Sequence, residues 1–101
     1  MAVYYINTYD IIDPEKFKAY GPGVRPILAR YGAEVLAMDL EAIVLEGSAR
    51  KMNAIIKFPS EESAIKCYND PEYQPIKAIR LASVANCSMI LVKEFIRPAN
   101  R

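Results

Sequence analysis

The sequence contains no histidine and no tryptophan. Without histidine there is no Ser-His or Cys-His nucleophile, no histidine-ligated haem, and none of the usual zinc or non-haem iron sites. Acid–base chemistry would have to use Asp, Glu, Tyr, Lys or Cys, and no metal or other cofactor is expected. Cysteine is scarce: Cys67 and Cys87 stand alone, with no metal-type spacing. They read as free thiols of a reducing cytoplasm. Cys67 falls in a predicted helix with no histidine to activate it, so it reads as a small core residue. No block of one charge exists, because 13 basic and 12 acidic residues are spread along the chain for a net charge of +1. A nucleic-acid ligand needs a basic face, so none is expected. No apolar run is long enough to span a bilayer, and Met1-Ala2-Val3-Tyr4 lacks the charged region of a signal peptide. A membrane span and an export signal are therefore not expected.

What is present is a high apolar content, 52% of 101 residues. That is enough for a packed core and argues against disorder. The length predicts one domain, over residues 1–96, with a polar tail over 97–101. A domain this small buries only about two-thirds of the surface of its unfolded chain, so a partner surface would add to its stability.

Val3 to Asp10 is rich in strand formers. Asp13-Pro14-Glu15 is a helix start, with a capping acid and proline at the first helical position. Phe17, Tyr20, Val24, Ile27, Leu28 and Tyr31 then share one helical face, and Gly32 stops the helix. Gly21-Pro22-Gly23 and Pro26 predict a kink or break near Gly21. It would leave the backbone donors of Gly23, Val24 and Arg25 free, an arrangement that favours an anion. Ala33 to Met38 reads as a strand, Ile43 to Glu46 as a short one, and Asn53 to Phe58 as another. Ser60 caps a helix that ends at Asn69. Asp70-Pro71-Glu72 repeats the start signal and opens a helix to about Val84. Ser88 to Phe95 is the last strand. With the short strand set aside and the last two helices merged, the order is βαββαβ. This is the ferredoxin-like α+β arrangement, in which helices cover one face of an antiparallel sheet.

A sheet covered on one face only should alternate apolar and polar residues. These strands do not. Tyr4 and Ile6 oppose Val3 and Tyr5, Ile55 opposes Ile56, and Met89 and Leu91 oppose Ile90 and Val92. Both faces are apolar, yet there are helices for one. A second copy of the sheet is the simplest cover, which predicts a homodimer through the open sheet face.

Several pieces of the chain together resemble a known family. They are Asp13-Pro14 with Phe17 and Tyr20, Pro26, Tyr31-Gly32, Leu45-Glu46-Gly47, Phe58-Pro59-Ser60, Ala64, Tyr68, Pro71-Glu72-Tyr73, Arg80 and Ile90-Leu91-Val92. In this order and spacing, from about Tyr4 to Lys93, the chain is similar to the uncharacterised family known as domain of unknown function 1330, of the dimeric α+β barrel superfamily. Two stretches depart from its pattern. Met38-Asp39-Leu40-Glu41 replaces a turn that is usually glycine-rich and often follows a basic residue, which changes the charge expected there. Gly21-Pro22-Gly23 stands where the family's helix is usually alanine-rich. The resemblance implies the fold and the dimer and no activity. Superfamily relatives include small metal-free monooxygenases, lactone isomerases and ligand-sensing domains, an analogy of fold alone.

A few residues stand out chemically. Arg80 shares a helical face with Tyr73, Ile76 and Val84. Its planar fork suits a carboxylate-bearing ligand; it is equally read as one half of a structural ion pair or as a snorkelling stem. Glu46 follows Ile43-Val44-Leu45 and is either the partner of Arg80 or a general base in an apolar pocket. Seven tyrosines are present. Tyr20 and Tyr73 are candidate proton donors, and Tyr31 and Tyr68 candidate ligand contacts; each is otherwise a large core residue with a satisfied hydroxyl. Asn7 lies between Tyr5 and Tyr9 on one strand face, placed to orient a ligand or to meet a dimer partner. Two functions fit. One is a cofactorless enzyme on a small carboxylate or carbonyl compound, with Arg80 as anchor, Glu46 as acid–base and Tyr20 or Tyr73 as proton donor. The other is a non-catalytic module that binds a small ligand or a partner.

Overall fold

A computed structural model of the chain describes residues 1–98. The first strand, β1 (Val3–Ile11), alternates in burial. Val3, Tyr5, Asn7 and Tyr9 are buried, and Tyr4, Ile6 and Thr8 are half-buried. A short helix follows, α1 (Pro14–Phe17), capped by the Asp13 carboxylate, which accepts the Lys16 N–H at 3.1 Å. Next comes α2 (Tyr20–Arg30).

The expected break near Gly21 falls earlier, at Lys18 and Ala19, and Gly21-Pro22-Gly23 lies in the first turn of α2. Pro22 is tolerated there because first-turn N–H groups have no intrahelical acceptor. The Gly23 N–H, expected to be free for an anion, instead donates to the Ala19 carbonyl at 3.2 Å. Gly23 serves helix packing, because a Cβ at this position would lie 2.7 Å from Ile76 Cδ1.

Gly32, at φ +70°, turns the chain into β2 (Glu34–Asp39). The short strand expected over 43–46 is not formed. Residues 40–51 are irregular and leave Leu40, Ile43, Val44 and Leu45 exposed. A strand needs a neighbour for its backbone groups, and residues 43–46 have none among the described residues: the segment is held by Ala42 N–H to the Lys51 carbonyl at 3.2 Å and, at its end, by Lys51 N–H and Arg50 to the Asp10 carboxylate. Then β3 (Met52–Phe58) leads to α3 (Glu61–Asn69), where Ser60 Oγ accepts the Ser63 N–H as a cap. Asp70 turns the chain into α4 (Tyr73–Ser83). β4 (Val84–Lys93) follows directly, beginning four residues before the strand start expected at Ser88. In the expected tail, residues 99–101 lie outside the described residues.

The four strands are antiparallel in the order β2-β3-β1-β4, the ferredoxin-like topology. The fold is α+β, and within one chain the sheet is open, not closed into a barrel. The buried side chains of β1 and β3 share a face, since Val3 pairs with Phe58, Tyr5 with Ile56, Asn7 with Ala54 and Tyr9 with Met52. That face meets the helices: Val24, Ile27, Ala64, Cys67 and Tyr73 join Val3, Tyr5, Ile56 and Phe58 in one cluster. The opposite face carries a row across all four strands, in which Ala37 pairs with Ile55, Ile55 with Ile6, and Ile6 with Ile90. Tyr4 and Val92 pair beside it. Among the described residues no helix covers this row, and Ile55, Ile90 and Val92 are exposed. The sheet is therefore apolar on both faces, as the strand pattern required.

Candidate functional site

Between the helices and the sheet lies a cavity of about 210 Å³. An apolar cavity of about 150 Å³ holds benzene, so this one has room for a ring with a substituent. Its walls come from α1 and α2 (Phe17, Val24, Leu28), from β2 (Val35, Met38) and from β3 (Met52, Ala54, Ile56). β1 contributes Tyr5, Asn7 and Tyr9.

Three of the expected site residues, Tyr20, Tyr73 and Asn7, line this cavity, and Arg80 stands behind the two tyrosines. Tyr20 opens α2 and Tyr73 opens α4, and their hydroxyls lie 2.9 Å apart. Arg80 stands two turns along α4 from Tyr73, on the same face. Its Nη1 donates to Tyr73 Oη at 3.0 Å and, more weakly, to Tyr20 Oη at 3.4 Å. The close approach of α2 and α4 at Gly23 and Ile76 brings Arg80 and the two tyrosines together. Arg80 is 2% exposed, and among the described residues it makes no ion pair. Its Nε has no hydrogen-bond partner. It is thus neither the snorkelling stem nor the ion-pair member allowed by the sequence. It is a buried cation held by phenols.

Burial works against the Arg80 charge, and the facing Tyr20 and Tyr73 oxygens work for it. Burial, then the neighbouring Tyr20, holds the Tyr73 phenol well above its ordinary range. Burial does the same to Tyr5 and Tyr9. Cys67, also in the cavity wall, is pushed up to about 11, mainly by burial and then by Asp70. These groups are therefore protonated at neutral pH. Among the described residues no Asp or Glu lines the cavity.

Asn7 is on the cavity side of β1, away from the open face, so the dimer contact considered for it falls away. It is buried, and its Oδ1 has no hydrogen-bond partner. Tyr31 is placed elsewhere. Its hydroxyl donates to Asp70 Oδ2 at 2.6 Å, which Arg30 Nη1 also reaches at 2.8 Å. Asp70 Oδ1 accepts the Glu72 N–H at 2.8 Å, so this cluster buttresses the start of α4. Tyr68 lines a second groove, with Tyr5, Ala64, Ile65 and residues of β4, and Lys77 Nζ sits 4.6 Å from its ring centre. Glu46 is exposed in the irregular 40–51 segment. The expected Glu46–Arg80 pair is not formed, because that segment builds no strand to carry Glu46 to the helix face.

Sequence reasoning missed the contributions of Val35, Met38, Met52 and Arg25 to the wall. A signal existed for Met52, which alternates with Ala54 and Ile56, and for Arg25, one helical turn after Gly21. Among the described residues no three His, Cys, Asp or Glu side chains converge as a metal site would require.

Solved structures share this fold. A protein of unknown function from Rhodopseudomonas palustris, RPA0582, superposes with a TM-score of 0.81 at 20% identity, over 95% of this chain and 84% of that one. SnoaB, a cofactor-independent oxygenase from Streptomyces nogalater, has a TM-score of 0.68 at 12% identity, over 98% of each chain. A dimeric ferredoxin-like protein of unknown function from Thermobifida fusca has a TM-score of 0.62 at 11% identity, over 90% of this chain and 89% of that one. Identities this low establish the fold alone. No curated protein is significantly similar to the chain. Residues 2–95 match the family model of domain of unknown function DUF1330, nearly the whole length, and the chain belongs to that family.

Proposed function

We propose that the protein is a homodimer that binds a small, mostly apolar molecule carrying a carboxylate or carbonyl oxygen. The ligand would sit in the cavity between helices and sheet. One observation carries this reading: a buried guanidinium with no carboxylate partner, bonded to two phenols at the edge of an apolar cavity. Small-molecule sites combine apolar walls with a few placed polar groups; Tyr20, Tyr73 and Asn7 are those groups here, with Arg80 behind the two phenols. Binding is preferred to catalysis because no side chain in the cavity is a base at neutral pH. Cofactor-free catalysis is the second reading. It is favoured by the fold shared with SnoaB and by the phenol hydroxyls at the cavity. A cytoplasmic location fits the free thiols of Cys67 and Cys87.

The uncovered row from Ala37 to Ile90 supports the dimer, as does the dimeric ferredoxin-like neighbour. Light scattering at micromolar protein should give twice the chain mass, and Ile6→Asp with Ile90→Asp should give one. A monomer mass for the unaltered chain refutes the dimer. Binding is tested by thermal shift against a panel of aromatic carboxylates and carbonyl compounds. At least one should raise the melting temperature, as a ligand selective for the folded state must, and Arg80→Gln should abolish the rise. No rise across the panel removes the reading.

A further inference from the structure

The hydrogen bonds around Arg80 leave one proton over. A guanidinium donates and never accepts, and each phenol brings one proton. Tyr73 Oη receives Arg80 Nη1 at 3.0 Å, and Tyr20 Oη receives it at 3.4 Å. The two phenol oxygens are 2.9 Å apart, so one of their two protons lies between them. The other has no acceptor among the described residues. Tyr73 is 4% exposed, whereas Tyr20 is half-buried. An unpaired proton is costly on the buried hydroxyl and not on the one with open space beside it. Tyr73 therefore donates to Tyr20, and Tyr20 turns its own proton to the cavity.

Behind that proton stands an uncompensated positive charge. The charged or titratable side chains facing the cavity are Tyr5 and Tyr9 from β1, Tyr20 and Arg25 from α2, Cys67 from α3 and Tyr73 from α4. None is a carboxylate, so among the described residues nothing in the wall neutralises Arg80. An anionic oxygen in front of Tyr20 would take the spare proton in a charge-assisted bond and offset the buried cation together.

We infer that the cavity holds its ligand as an oxyanion, a phenolate, enolate or carboxylate that accepts the Tyr20 hydroxyl proton. Arg80 acts as a positioning residue, fixing the Tyr73-to-Tyr20 direction of donation and supplying the charge. This inference rests on the cavity being a small-molecule site, and it adds the charge state of the ligand and the group that touches it.

The sign of a bound probe's ionisation separates the alternatives. An apolar pocket by itself raises the pKa of a bound acid, because burial disfavours the charged form. A pocket backed by Arg80 lowers it. p-Nitrophenol reports this directly, since its phenolate and phenol absorb at different wavelengths. With saturating protein, its titration midpoint should fall by about one pH unit, a roughly tenfold preference for phenolate over phenol. In Arg80→Gln the midpoint should rise above that of the free probe, and in Tyr20→Phe most of the fall should disappear. p-Nitroanisole, the neutral ether, should bind the unaltered protein no more tightly than it binds Arg80→Gln. A midpoint that rises or stays fixed in the unaltered protein overturns the oxyanion inference and leaves the cavity reading standing. Should neither probe bind, the cavity reading falls as well. If Arg80→Gln does not fold, the sign of the shift in the unaltered protein still decides.

Discussion

Replacing Arg80 by methionine removes a charge that the fold itself leaves unbalanced. The guanidinium is 2% exposed, and burying an ion of this kind costs several kcal/mol even after relaxation. Set against that are the bonds from Nη1. The one to Tyr73 at 3.0 Å, from a charged donor, contributes about 1.5–3 kcal/mol. Those to Tyr20 at 3.4 Å and to Met89 Sδ at 3.9 Å are at the outer limit of hydrogen bonding and contribute less. Nε contributes nothing, having no partner. The two sides come out near balance or slightly unfavourable. Methionine is flexible enough to fill the channel of the arginine stem, and it leaves the Tyr20–Tyr73 bond in place. Arg80→Met should therefore keep the unfolding free energy or raise it by about 1–2 kcal/mol. In a chain of this size each 1 kcal/mol moves the melting temperature by about 4–8 °C. Urea and thermal unfolding followed by circular dichroism, at one fixed protomer concentration, would measure it, with ligand binding lost in the same variant. A loss of about 3 kcal/mol or more is the signature of a broken buried ion pair. It would refute the reasoning by showing that an anion balances Arg80.

Two further outcomes follow from groups away from that cluster. The Tyr31 hydroxyl, with the Glu72 N–H and Arg30, holds the Asp70 carboxyl below its ordinary pKa. Such a group contributes stability above its unfolded value of about 3.9, and that stability is lost as the pH falls through the lower folded value. Asp70→Asn should therefore be less stable than the unaltered protein at pH 7, with the difference closing as the pH drops below about 4; a difference constant in pH contradicts this. Cys67 is buried with its thiol raised to about 11, so at neutral pH a thiol reagent too bulky for the cavity should modify it only as fast as the protein unfolds. Fast modification of Cys67 in the folded protein would mean that the helix side opens locally.

Local chemistry made much of the fold legible. The Asp-Pro pair at 13–14 opens α1, because a capping acid and a proline suit a helix's unpaired first N–H groups; the pair at 70–71, read as the same signal, instead forms the turn before α4, which starts at Tyr73 without a side-chain cap. Tyr4 to Ile6 showed that the sheet needs cover on both faces, because the period of a strand is two. The misreadings have tertiary causes. Ile43-Val44-Leu45 has the composition of a strand, but composition does not supply a neighbouring strand, and Glu46 was misplaced with it. Gly21-Pro22-Gly23 reads as a helix breaker in isolation, whereas against α4 its missing side chain at Gly23 makes room for Ile76. Arg80 was visible as an anomaly because the helical spacing from Tyr73 is local. Tyr20 was legible as a candidate proton donor, but its bond to Arg80 was not, because the two are 60 residues apart and meet only once α2 and α4 pack.

The alternation within β1 also divides the molecule's properties. Tyr5, Asn7 and Tyr9 point to the cavity, and Tyr4, Ile6 and Thr8 to the open face. A partner sheet on the Ile6–Ile55–Ile90 row lies across the whole thickness of the sheet from Arg80, so it can stabilise the chain without closing the cavity. Ligand and partner would then couple only through the strand backbones and through the shared stability of the folded state. A charge at Ile6 should break the dimer and leave a bound probe's titration midpoint where the unaltered protein puts it, because it changes nothing on the helix side. A change at Tyr20 should do the reverse. If either substitution alters both properties, the partner reaches round the sheet edge to the cavity. The segment in a position to do so is 40–51, which continues from the wall residue Met38 and carries Leu40, Ile43, Val44 and Leu45 exposed.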